Sequence, residues 1–120
     1  LLLNFQLNDR FLLTLILLGQ PELRSKVEAI KQLSQRVVIR YHLMPFNVDE
    51  VGDYVDFRMQ AAGASRAVFT PESIVAMYES SGGIPRKVNT IADLSLLIGF
   101  MERCQQVGPE VIKKAVMEAQ

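Results

Sequence analysis

At 120 residues, 49% of them apolar, the chain has enough material for one packed domain or for two small pieces of a larger one. Lysine plus arginine and aspartate plus glutamate both number 13, so the formal net charge is zero and the whole chain offers no electrostatic case for nucleic acid or an anionic membrane. Cys104, the single cysteine, excludes an internal disulfide and any multi-cysteine metal site, and the single histidine, His42, has no second ligand at metal spacing. The charge is uneven along the chain, with a basic excess over residues 1–44 and an acidic excess over 45–120, as expected of two units with different neighbours.

The opening Leu1-Leu2-Leu3-Asn4-Phe5 has neither an initiator methionine nor a capping signal and reads as the inside of a helix, so the expectation is a fragment. The apolar run Phe11 to Leu18 is far below the roughly 20 residues that span a bilayer, and no signal peptide opens the chain, so this segment is expected not to insert in a membrane and to face the cytosol. Leu12 to Leu18, almost unbroken and ended by Gly19-Gln20-Pro21, suits a central parallel strand buried on both faces. Pro21 starts a helical stretch that runs, with a break, to Gln35. Val37 to Leu43 is rich in β-branched and aromatic residues and reads as a second strand. Two strands of this buried type cannot form a sheet unaided, so the sheet must be completed by something outside this sequence.

After Pro45 the signals are helical. Asn47 is an N-cap, Glu50 completes a capping box, Phe46 and Val51 form a hydrophobic staple, and Val48, Val51, Val55, Met59 and Ala62 recur at helical spacing. That helix ends near Gly63. Thr70 caps a second helix with Pro71 at its first position, ending at Ser80 or Ser81; a third runs from Pro85 to about Arg103 with Val88, Ile91, Ala92, Ser95 and Ile98 on its buried face. A fourth starts at Pro109 and buries Val111, Ile112, Ala115 and Val116. The expected architecture is therefore strand, helices, strand, a boundary at Leu43-Met44-Pro45, and a small four-helix bundle. The methionines at 59, 77, 101 and 117, with Tyr54, Tyr78 and Phe100, are read as bundle packing.

Gly82-Gly83-Ile84-Pro85-Arg86-Lys87-Val88-Asn89 is the segment richest in chemistry. It sets Arg86 in the first turn of a helix, where free N–H groups and the positive end of the dipole already favour anions, and so points to phosphate. The plain alternative is that two glycines end one helix, Pro85 starts the next, and Arg86 is a solvated charge.

Three signals stand in a fixed order: Gln20 at the tip of the first strand, Arg36 between helix and next strand, and Arg86 opening a bundle helix. Together with Leu17-Leu18-Gly19-Gln20-Pro21-Glu22-Leu23, Gln35-Arg36-Val37, Arg40-Tyr41-His42-Leu43, Phe69-Thr70-Pro71-Glu72 and Gly83-Ile84-Pro85-Arg86-Lys87-Val88-Asn89, this order resembles the C-terminal part of an AAA+ ATPase, and within that class the general (type II) secretion pathway protein A or ExeA-like ATPases. The resemblance implies an α+β, mostly helical fragment, with residues 1–44 as the last strands and helices of a P-loop α/β core and 45–120 as a four-helix lid. It implies catalytic roles for Gln20, as the sensor 1 that orients the attacking water, and for Arg36, as the arginine finger presented to a neighbouring subunit; Arg40 is the rival finger. It makes Arg86 the sensor 2 that contacts nucleotide phosphates, with Asn89 one turn later in support. Against these stand a helix-capping role for Gln20, an ion pair or solvation for Arg36, and a plain surface role for Asn89.

The resemblance further implies ATP and magnesium in the parent protein, a homo-oligomer, an inner-membrane secretion partner, and a place at the cytoplasmic face of the bacterial inner membrane. Neither GxxxxGK[ST] nor an acidic strand end is present in the 120 residues, so no tight nucleotide binding or hydrolysis is expected of this segment alone; in the family those elements precede it, and the missing core would act in cis. No metal ligands are expected here, and the acidic helical region argues against nucleic acid. The alternative from a different class is a helical protein- or DNA-binding module, such as a relative of transposition-associated ATPases, with no ATPase role.

Overall fold

The computed structural model describes residues 13–120 and, within the first twelve, only the backbones of Gln6–Leu7 (β1) and Arg10–Phe11 (β2). These two pair antiparallel, Gln6 opposite Phe11 and Leu7 opposite Arg10. The helical reading of Leu1 to Phe5 and the first residue of the expected strand, Leu12, lie outside the described residues. Packing divides the chain into two units, Leu1–Leu43 and Met44–Gln120.

In the first unit, α1 (Glu22–Ala29) and α2 (Lys31–Arg36) are separated by Ile30, whose extended backbone (φ −102°, ψ 97°) is the break expected between Pro21 and Gln35. Over their described residues the two expected strands are not formed: residues 13–18 and 37–43 carry no ladder, and apart from half-buried Val37 their side chains are exposed, Val38 at 93% and Ile39 at 82%. The physical reason is that a strand is made by its hydrogen-bonded neighbours, and the described residues supply none to either run. From residue 13 to 43, Val27 alone is buried among the described residues. Among its described residues the first unit thus has short helices and apolar segments but no buried cluster of its own.

The second unit is a bundle of four helices: α3 (Val48–Ala61), α4 (Pro71–Ser81), α5 (Pro85–Met101) and α6 (Pro109–Ala119). The capping box at α3 is complete, since Asn47 Oδ1 accepts from the Glu50 N–H at 2.8 Å and Glu50 Oε1 accepts from the Asn47 N–H at 3.0 Å. Asn47→Ala removes one of these bonds and should lower stability by about 1 kcal/mol, read as a lower urea midpoint at unchanged slope. Thr70 caps α4 by accepting from the Ser73 N–H, and Pro71, Pro85 and Pro109 each open a helix. A parallel bridge between Phe69 and Val107 joins the segments that lead into α4 and α6.

The core is Val51, Val55, Phe69, Met77, Val88, Ile91, Val107, Val111, Ile112 and Ala115. α4 packs against each of the other three helices and α5 against α6, whereas α3 and α5 approach little along their backbones. Along α5 the buried positions are 88, 91, 95 and 99, so Phe100, expected in the bundle, lies about 100° off this stripe and is 82% exposed. Met101 and Met117 are likewise exposed, in contrast to the fully buried Met77.

Ser95 is fully buried and its Oγ has no hydrogen-bond partner. An unpaired buried hydroxyl opposes folding, and alanine fills nearly the same space with better helix propensity. Ser95→Ala should therefore raise stability by about 1 kcal/mol, measured as a higher denaturant midpoint.

Candidate functional site

The Gly82-Gly83 pair is built by two separate backbone requirements. Gly82 closes α4 in the left-handed region (φ 63°), donating its N–H to the Tyr78 carbonyl at 2.9 Å. Gly83 (φ 76°) lies so close to the backbone of Phe46 that an added Cβ would sit 1.9 Å from the Phe46 carbonyl oxygen. At this approach the Phe46 N–H donates to the Gly83 carbonyl at 2.9 Å, and the Gly83 N–H donates to Ser81 Oγ at 3.1 Å. The entry segment of the bundle is thereby tied to the residue that precedes Ile84-Pro85-Arg86.

Pro85 occupies the first position of α5 and Arg86 the second, exposed. No side chain caps this helix start. The first intrahelical donor bond is that of Val88, to the Ile84 carbonyl at 2.9 Å, so the Arg86 and Lys87 N–H groups point out of the helix end. Two outward amides, the dipole and the Arg86 guanidinium make a donor set whose chemistry suits a phosphate oxygen. A group of three His, Cys, Asp or Glu able to hold a metal ion is not present among the described residues.

Asn89 lies on α5 one turn after Arg86 and is half-buried; its Oδ1 accepts from the Tyr54 hydroxyl at 2.6 Å. Tyr54 stacks at a tilt on Phe46, with ring centroids 5.2 Å apart, and its oxygen accepts from Arg58 at 3.2 Å. Tyr54, expected from the sequence to pack in the bundle, carries this hydrogen bond as well. The signal that marks it is a phenol next to Val55 and three residues after Val51, at the edge of the buried stripe of α3, where the ring packs and the hydroxyl must reach a partner.

Gln20 and Arg36 belong to the first unit. The Gln20 carbonyl accepts from the Leu23 N–H at 2.8 Å, while Pro21 is the N-cap of α1 and no side chain caps that helix, so the Gln20 amide is not spent on capping. It lies on an open, mainly apolar cleft of ≈ 550 Å³ whose walls include Leu17, Leu23, Val27, Ile39 and Tyr41. Arg36 is the exposed last residue of α2. Arg40, its rival, donates one guanidinium nitrogen to both the carbonyl and the hydroxyl of Ser34, each at 2.9 Å, and so closes the C-terminal end of α2. His42 is exposed on the same cleft as Gln20.

No protein-family model matches the chain, and no solved structure matches it. Among known proteins it is similar to General secretion pathway protein A of Aeromonas hydrophila, at 41% identity over 102 residues. The alignment takes in 83% of this chain but only 19% of the relative, so the chain spans about a fifth of that protein's length. None of the helices described is long and apolar enough to cross a membrane.

Proposed function

We propose that the chain is the end of the nucleotide-binding core and the helical lid of an AAA+ ATPase that couples ATP binding and hydrolysis to the work of a secretion or export system. The observation that carries this reading is the start of α5: an uncapped helix end bearing Arg86 and held by the Gly83–Phe46 contact. The similarity to a protein A of the general secretion pathway supports the secretion setting. The runs 13–18 and 38–43, largely apolar yet exposed, support a sheet completed by other parts of a longer protein.

In this reading Arg86 and the first amides of α5 hold nucleotide phosphates, Gln20 orients the attacking water, and Arg36 reaches the site of a neighbouring subunit. An amide can accept from water and donate to phosphate together, which is the chemistry required of Gln20. Magnesium and the phosphate cradle come from outside the 120 residues; the metal, when bound, neutralises charge on the phosphates. The parent is a homo-oligomer at the cytoplasmic face of the bacterial inner membrane, joined to an inner-membrane secretion partner, and nucleic acid is not its substrate.

The test is ATP binding and hydrolysis by the full-length protein, whose sequence should carry GxxxxGK[ST] roughly 100 residues ahead of Leu1, the span of a typical core. Arg86→Ala should weaken nucleotide binding within its own subunit. A full-length protein with no P-loop, or an Arg86 variant with unchanged affinity, would remove the proposal.

A further inference from the structure

Arg58, Tyr54 and Asn89 form a directed relay from α3 to α5. Arg58 lies 3.2 Å from the Tyr54 oxygen, with its guanidinium carbon 5.9 Å from the ring centroid, and the Tyr54 oxygen is 2.6 Å from Asn89 Oδ1. A guanidinium can only donate, so the phenol oxygen accepts from Arg58, and the phenol donates its own proton to Asn89 Oδ1. The Asn89 carbonyl is turned to Tyr54, and its NH₂ group, a double donor with no acceptor capacity, is turned away from it. Asn89 is three residues from Arg86 and thus on the same face of α5. The turn carrying both is fixed at one end by the Gly83–Phe46 backbone bond and at the other by the Tyr54–Asn89 bond.

We infer that Tyr54, backed by Arg58, is a positioning residue that presents Asn89 as a hydrogen-bond donor beside Arg86, so that the two make a donor-only face for the phosphate chain of a nucleotide. The inference rests on the reading of Arg86 as a phosphate contact and adds to it the source of the second donor. A tie between helices would be served equally by any acceptor at position 89. A phosphate face would not, because only the amide gives Tyr54 an acceptor on one side and offers N–H on the other.

Asparagine-to-aspartate separates the two roles. In Asn89→Asp the carboxylate still accepts from Tyr54, but it places negative charge where the NH₂ group stood. The experiment is calorimetric titration of the full-length protein with magnesium ADP, with the nucleotide-free melting temperature measured alongside. Asn89→Asp should melt close to the parent yet bind ADP at least about tenfold more weakly, the scale of a lost charge-assisted bond plus repulsion. Tyr54→Phe, which frees the amide to rotate, should weaken ADP binding by about threefold to tenfold, and adding it to Asn89→Asp should cost less than the two losses combined. Arg86→Ala is run beside them. If Arg86→Ala weakens binding while Asn89→Asp binds as the parent does, the relay is only a structural tie and the inference fails alone; if Arg86→Ala also binds as the parent does, the phosphate reading fails with it.

Discussion

Gly83→Ala should cost the bundle about 3–5 kcal/mol, the largest loss expected of any single methyl group added to this chain. Two terms combine. The left-handed backbone at φ 76° disfavours any side chain by about 1–2 kcal/mol. The new Cβ would also stand 1.9 Å from the Phe46 carbonyl oxygen, and the opposing atoms are backbone, which cannot swing aside as a side-chain end can. Relief requires the Phe46 segment to move off, breaking the 2.9 Å bond to the Gly83 carbonyl. Gly82→Ala is the control, because its φ is 63° but nothing lies within 4 Å of the added atom, so only the conformational term of about 1 kcal/mol remains. Melting temperatures of the two variants measure the difference; equal losses would show that the close approach gives way without cost.

Arg36→Ala should reduce ATP turnover by the full-length protein by about 10³-fold or more, with magnesium-ATP affinity changed less than about threefold. A guanidinium supplied across a subunit boundary acts on charge that develops only in the transition state, so its loss appears in kcat and not in binding. The direct test is mixing. On the proposed reading, Arg36→Ala and Arg86→Ala subunits should each be nearly inactive, but a mixed oligomer would contain sites whose own lid is intact and whose neighbour supplies Arg36, so activity should partly return. Absence of any recovery would place Arg36 outside the neighbour's site. Arg40→Ala should act differently: by removing both bonds to Ser34 it loosens the end of α2, giving a modest fall in stability and a smaller effect on turnover.

The bundle was legible because its signals are local. Asn47 with Glu50, Thr70 before Pro71, and proline at the first position of three helices specify where helices begin without reference to anything distant. A break in the helical stretch after Pro21 was expected as well, but no local signal placed it at Ile30. The strand reading of 13–18 and 37–43 rested on composition, which reports what a segment would bury, whereas a ladder depends on neighbours that composition does not name. Phe100 shows a related limit: aromatic character suggests burial, but its angle to Val88, Ile91 and Ser95 decides otherwise. At the candidate site, Arg86 could be placed from Pro85 alone. The partnership of Asn89 with Tyr54 could not, since it joins residues 35 apart on helices whose backbones approach little.

The Phe46–Gly83 bond also sets how force enters the bundle. Phe46 stands two residues after Met44, where the second unit begins, and it is bonded not to its own helix but to the turn ahead of α5. A pull on the chain from the Leu43 side therefore loads that backbone pair together with the Phe46–Tyr54 contact on α3, and the load arrives three residues from Arg86. Tension on the connecting chain and the attitude of the Arg86 turn are in series, so a change in either is delivered to the other without first melting a helix.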